Sequence, residues 1–282
     1  MQKFNYHQHT YRCGHADMNM NDEDYVKEYI KMGLKKIAFT DHCPQKNKTD
    51  KRTHMRMDYQ EKDEYLNSIK TLKEKYKGKI QIKSGYEIEY LPGEEENLME
   101  LKREADVIIL GQHFISDDNG SLKIFDKGEK FTDKELIRYA EYLDKAMELD
   151  IPDAIAHPDV FMNARESFGE IEAKVSNMIC KSAEKYNIPL EINMAKIFNS
   201  VFYEDKKLEI LPIDKQREKL SKVRYPRREF WEIAKNYNIR VLYGIDAHHK
   251  GQISLFNELV QFANEILGDE IISKLNFIQD IY

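Results

Sequence analysis

Apolar residues recur along this chain with two alternating periods, and the alternation predicts an architecture. Short β-rich runs fall at Lys3–Tyr6, Lys36–Thr40, Lys79–Ser84, Asp106–Gly111, Asp153–Ala156, Pro189–Ile192 and Arg240–Gly244, seven candidate strands. Between them the apolar positions return every three or four residues, as a helix packed on a sheet requires. Val26, Tyr29, Ile30 and Leu34 form one stripe, with Gly33 placed to end the helix; Tyr65, Leu66, Ile69, Leu72 and Tyr76 form another. Thr132 and Glu135 have capping-box spacing ahead of Leu136, Ile137, Ala140, Leu143 and Met147. Further stripes are Ile171, Val175, Met178 and Ile179, then Phe230, Trp231, Ala234 and Tyr237, then Leu255, Leu259, Phe262 and Ile266.

Strands alternating with helices imply parallel pairing through right-handed crossovers. Seven such units either close into a barrel or stay open as a doubly wound sheet, and periodicity does not choose between them. No linker or repeat divides the sequence, so residues 1–282 are expected to form one domain. Two segments exceed ordinary connections, Gln45–Asp58 and Phe198–Pro226; either is a lid over a site or plain solvated surface.

Composition narrows the picture. The chain is 41% hydrophobic and 33% charged, an ordinary soluble balance, and its net charge of −6 argues against coating nucleic acid or anionic membrane by bulk charge. The beginning, MQKFNYHQHT, has no apolar signal region, and the longest apolar run, Val107 to Leu110, is far too short to span a bilayer. Three cysteines, Cys13, Cys43 and Cys180, do not make a disulfide framework. A cytoplasmic protein is expected. No heptad seam or exposed apolar stripe speaks to oligomeric state.

The histidines carry the chemistry. His7 and His9 close the first strand, with His15 in the adjoining loop; Asp41 and His42 close the second; Glu87 follows the third; His113 closes the fourth, His157 the fifth, and Asp246 with His248 the seventh. In a parallel α/β sheet all strand carboxyl ends share one face, so these residues converge there. One histidine in that position is usually a satisfied core residue or a cap. Of nine histidines, however, only His54 and His249 lie outside the set. Imidazole with carboxylate is a donor set for Zn²⁺, Mn²⁺ or Fe²⁺. His7 and His9, two apart on a strand, present both rings on one side. Seven imidazoles and two carboxylates exceed one tetrahedral site, whereas two or three ions sharing a bridging carboxylate accommodate them. Glu89 competes with Glu87 for the bridge, and Cys13 and Cys43 read as packed or exposed thiols rather than ligands.

The segments HQHT, CGHAD, FTDHCP, GYEIEY, LGQHF, AHPD and GIDAH, spread in this order over residues 7 to 248, resemble the polymerase-and-histidinol-phosphatase (PHP) superfamily. RTHMRM and YPRREFW look like its histidinol-phosphate phosphatase branch. The resemblance implies a distorted seven-stranded (β/α)7 TIM-like barrel holding three divalent ions. His7, His9, Glu87 and Asp246 would hold the first ion, Glu87, His113 and His157 the second, and His15, His42 and His248 the third. Glu87, Asp246 and His248 would serve catalysis, a hydroxide shared between ions attacking a phosphomonoester without a covalent intermediate. The substrate so implied is L-histidinol phosphate, an intermediate of histidine biosynthesis. Arg56, Arg165 and Arg224 are candidates to grip phosphate, and Asp17 to meet a cationic group of the substrate or to cap the helix near Asp22. Other readings are a phosphoesterase for a different monoester, a nucleotide or a single-stranded nucleic acid end, and a structural or storage metal protein.

Overall fold

The computed structural model describes residues 2–45, 55–125, 128–204, 207–208 and 211–281. In chain order the strands are β1 Phe4–Asn5, β2 Lys36–His42, β3 Gln81–Ile88 and β4 Val107–Leu110, then a hairpin of β5 Phe114–Ser116 and β6 Leu122–Ile124. They continue with β7 Ala154–Ile155, β8 Leu190–Asn193, a second hairpin of β9 Tyr203–Glu204 and β10 Lys207–Leu208, β11 Arg240–Gly244 and β12 Asn276–Phe277. Eight of these join one sheet in the order β1-β2-β3-β4-β7-β8-β11-β12, and every neighbouring pair is parallel. The seven expected strands are present, and the sheet curls into the distorted barrel, with β12 as an eighth, unexpected member.

The curled sheet has two apolar faces. Phe4, Tyr6, Ala38, Val107, Ile109, Ala154, Ala156 and Leu242 fill the interior, and Ile281 comes back from the chain's end to pack among them. The outer face carries the larger cluster, in which Phe39, Tyr86, Ile88, Leu110, Ile155, Leu190 and Ile192 meet the helices. Strand alternation sets this division: in β3, Tyr86 and Ile88 face the helices, so Glu87 points inward. Helices Asp22–Lys31, Lys62–Lys75, Asp133–Glu148, Glu170–Tyr186, Arg228–Ala234 and Phe256–Leu267 match the six apolar stripes. The capping box at Thr132 is made in full: Glu135 N donates to Thr132 Oγ1 at 3.2 Å and Thr132 N to Glu135 Oε2 at 2.7 Å.

β1 and β11 close the barrel with few backbone bonds. Gln8 and Ala247 form a single parallel bridge, in which His9 N donates to Ala247 O at 3.0 Å. Side-chain amides satisfy the backbone below it. Gln2 Nε2 donates to Tyr243 O at 2.7 Å, Tyr243 N to Gln2 Oε1 at 3.0 Å, and Ile245 N to Asn5 Oδ1 at 3.0 Å. β12 occupies the amino half of this seam, pairing Asn276 with Arg240 and Phe277 with Val241.

Several segments differ from the sequence reading. β2 and β3 run further than expected, so His42 and Glu87 lie inside strands and face each other in register. The helix Glu95–Glu104 buries only Leu98 and Leu101, too thin a stripe to stand out by periodicity. The described residues of Phe198–Pro226 include most of the helix Ala195–Val201 and all of Ile213–Leu220. In Gln45–Asp58, residues 46–54, including His54, lie outside the described residues. Among the described residues no helix is long and apolar enough to cross a membrane.

Candidate active site

The carboxyl ends of the parallel strands surround a cleft of about 340 Å³ lined by His15, His42, Glu87, His113, Asp246 and His248, with Met55, Lys196, Asn199, Tyr225, His249 and Gln252 around them. His7, His9 and His157 lie just beneath, each about 1% exposed. The nine side chains singled out from strand ends therefore meet at one place.

Glu87 is the hub. Its Oε1 lies 2.9 Å from His157 Nε2, 3.5 Å from His7 Nε2 and 3.7 Å from His113 Nε2. Its Oε2 lies 2.9 Å from His42 Nδ1 and 3.4 Å from His9 Nε2. Asp246 Oδ1 is a second node, 3.2 Å from His9 Nε2, 3.4 Å from His7 Nε2 and 3.4 Å from His248 Nδ1. At the outer rim His15 Nε2 approaches His248 Nε2 at 2.8 Å. Sets with donor atoms mutually within 4.8 Å include His7–His9–Asp246, His7–Glu87–His157, His9–His42–Glu87 and His15–His42–His248.

The donor chemistry fits cations. His42 Nδ1 and Glu87 Oε2 are close, yet neither has a hydrogen-bond partner of acceptable geometry, and Asp246 Oδ1 is likewise buried without one. Buried, unsatisfied lone pairs converging from acids and imidazoles are what metal ligation would satisfy. A fifth set, His9–Cys13–His248, includes a thiol. Burial drives that thiol's pKa far up, against the thiolate form a ligand needs.

Electrostatics divide the cluster. Burial by itself disfavours the charged His7 ring, but Asp246, Glu191 and Glu87 outweigh it and hold its pKa well above the ordinary value. His9 likewise loses to burial and gains more from Asp246, Asp41 and Glu87, reaching about 9. In His42 burial prevails despite Glu87, lowering it to about 3. His248 and His15 are lowered by burial and by the neighbouring His9 charge. Burial opposes ionisation of Glu87 and Asp246, yet the surrounding imidazoles keep both carboxyls well below their usual range.

The other candidates are placed elsewhere. Arg56 forks onto Glu89, Nη1 to Oε2 at 3.1 Å and Nη2 to Oε1 at 3.3 Å, and also donates to Cys43 O. Glu89 Oε1 in turn accepts from His113 Nδ1 at 3.2 Å, so Glu89 stands behind a cluster member rather than replacing Glu87. Arg165 pairs with Glu172 at 2.8 Å and with Asp133 and donates to Phe131 O, while Arg224 donates to Arg165 O. Asp17 accepts from Asn19 N at 3.0 Å, and the helix after it is capped by Asn21. None of Asp17, Arg56, Arg165 and Arg224 lines the cleft; among its described lining residues Lys196 is the one lysine or arginine.

Sequence reasoning passed over one strand. β8 bears no strand-end histidine, but in LEIN the apolar Leu190 and Ile192 face the helices, leaving Glu191 and Asn193 to face the barrel interior. A buried acid alternating with aliphatic residues was the available signal.

A parallel barrel whose carboxyl end gathers imidazoles and carboxylates belongs to the class of α/β barrels with a donor set suited to divalent cations. Residues 5–195 match the family model of the PHP domain, and the chain belongs to that family. It is 31% identical over 144 residues to the histidinol-phosphatase of Bacillus subtilis, the aligned part covering 49% of this chain and 53% of the relative. The chain thus spans about half the length of that curated relative. Among solved structures, a Listeria monocytogenes protein assigned as a histidinol phosphatase superposes with a TM-score of 0.70 at 20% identity, over 89% of this chain and 97% of the other. A Lactococcus lactis histidinol phosphate phosphatase, solved with zinc, L-histidinol and phosphate, gives 0.61 at 18% identity over 93% and 94%. At those identities the structural likeness speaks to the fold.

Proposed function

We propose that this chain is a metal-dependent phosphomonoesterase that hydrolyses L-histidinol phosphate to L-histidinol and phosphate, with residues 1–282 acting as one domain. The observation that carries the reading is the convergence of His7, His9, His15, His42, Glu87, His113, His157, Asp246 and His248 in one cleft, with unsatisfied donor atoms turned toward each other. Membership of the PHP family and the likeness to the Bacillus subtilis histidinol-phosphatase support the substrate assignment.

In this reading three divalent ions, zinc, manganese or iron, are held by His7, His9, Glu87 and Asp246, by Glu87, His113 and His157, and by His15, His42 and His248. When bound, such ions acidify water and neutralise charge on a phosphoryl group. The protein's part is positioning. Glu87 and Asp246 draw the imidazoles of five strands together, and the barrel below shields them from bulk water. Lys196, at the cleft wall beside Tyr225, is the side chain placed to meet phosphate oxygens. Arg56 acts from behind, holding Glu89 against His113.

Phosphate release from a panel of small monoesters, with metal content measured on the same sample, tests the assignment. Histidinol phosphate should be the best substrate of the metal-loaded protein, and a chelator should abolish turnover. Faster release from a nucleotide or from single-stranded DNA ends would move the protein to another substrate class.

A further inference from the structure

Glu191 is 2% exposed, deep in the barrel, and each of its carboxylate oxygens has a partner. Oε1 lies 2.9 Å from His7 Nδ1. Oε2 accepts from His157 N at 3.0 Å and from Asn193 Nδ2 at 2.9 Å. Asn193 Nδ2 reaches on to Asp246 Oδ2 at 3.3 Å. A carboxylate accepts from a ring N–H, so the proton between His7 and Glu191 sits on Nδ1, and Nε2 is the ring nitrogen that faces Glu87 and Asp246 and would be free to ligate once its own proton is displaced. The same carboxylate anchors strained backbone: His157, whose N–H it accepts, has φ of +29°, uncommon for a residue with a Cβ.

The surrounding sheet is shaped for this group. A Cβ on Gly244 of the neighbouring strand would lie 1.6 Å from Glu191 Oε1 and 2.2 Å from its Cδ, so β11 carries glycine where the carboxylate crosses it.

We infer that Glu191 is the positioning residue of the site: it fixes the tautomer of His7, holds the His157 backbone, and through Asn193 steadies Asp246. The inference rests on the metal-binding reading above. It gives β8, a strand that supplies no ligand, the task of orienting ligands supplied by β1, β7 and β11.

The test compares wild type, Glu191→Gln and Gly244→Ala by Zn²⁺ titration, with ¹⁵N spectra of the histidine rings. The Glu191→Gln change keeps the size of the side chain but turns an NH₂ toward one of the three N–H donors. The Gly244→Ala change keeps the acid but displaces it. Both variants should bind Zn²⁺ about 10- to 100-fold more weakly. In zinc-loaded wild type, His7 should carry its proton on Nδ1 and ligate through Nε2. Wild type that binds no Zn²⁺ overturns the metal reading itself. Wild type that binds while both variants match it, or His7 ligating through Nδ1, overturns the role of Glu191. The ring assignment needs no variant, so it decides the matter even if both substitutions prevent folding.

Discussion

His15 and His248 face each other through their Nε2 atoms at 2.8 Å, and in each ring the other nitrogen is already a donor, to Cys13 O at 2.9 Å and to Asp246 O at 3.0 Å. Burial keeps both rings neutral. Two lone pairs are therefore aimed at one another, which is repulsive unless a cation is shared. Replacing either residue by alanine should lower bound metal by one ion per chain. Phosphate release should fall on the order of 100-fold or more, since a metal supplies several kcal/mol of charge stabilisation. Full metal content in His248→Ala would remove this pair from the proposed set.

Metal uptake should depend steeply on pH, in a stated direction. The carboxylates raise His7 and His9, so without metal both rings are protonated at neutral pH, His9 up to about 9. An ion binding there must displace those protons, whereas His15, His42 and His248 are already neutral. Apparent affinity should rise as pH increases from about 6 toward 9. Calorimetric titrations near neutral pH, in buffers of different ionisation enthalpy, should show protons released. No release would mean that His7 and His9 enter the complex already neutral.

Lys196→Ala should weaken catalysis without touching metal content. A charge-assisted hydrogen bond to phosphate is worth about 1.5 to 3 kcal/mol, so kcat/KM should fall roughly 10- to 150-fold, with Lys196→Arg retaining part of it. Unchanged kinetics would assign phosphate binding to other groups.

Arg56→Ala should act on stability as well as activity. The Arg56–Glu89 pair is almost fully buried, with side chains 6% and 2% exposed. Removing the guanidinium leaves Glu89 buried with only the His113 Nδ1 bond, at a cost of about 3 to 5 kcal/mol in denaturant unfolding. Arg56→Lys keeps the charge but loses the fork and should fall in between. A loss below about 1 kcal/mol would indicate that water reaches Glu89 after truncation.

The order of strands and helices was legible because parallel α/β sheets write themselves in alternation, as in the stripe from Tyr65 to Tyr76 and the run from Val107 to Leu110; closure into a barrel was not, and came only from the family resemblance. Also legible was the gathering of His7, His42, His113 and His248, since strand ends share a face whichever way the sheet closes. Hidden were features without a period. β12 has two residues, one of them Asn276, and exists because β1 and β11 leave a seam; nothing local in NFIQ marks it. The roles of the arginines were equally hidden, because a guanidinium near a strand end grips whatever acid the fold brings closest. For Arg165 that was Glu172 and Asp133, and for Arg56 it was Glu89. Lys196 had no motif at all; only the path of the chain after β8 puts it on the cleft wall.

Gly111 gives the strictest test of Glu87 as the shared carboxylate. A Cβ there would lie 1.8 Å from Glu87 Oε1 and 2.6 Å from its Cδ. The backbone at this point is fixed, Gly111 N donating to Ile88 O at 3.0 Å, so the freer group, the carboxylate, must give way. Its displacement would pull Oε1 from His157 and His113 and Oε2 from His42 together. Gly111→Ala should therefore fold, with far-ultraviolet circular dichroism like wild type, while losing more than one ion and nearly all phosphate release. Retention of the wild-type metal content in a folded Gly111→Ala protein would show that the ions do not depend on Glu87.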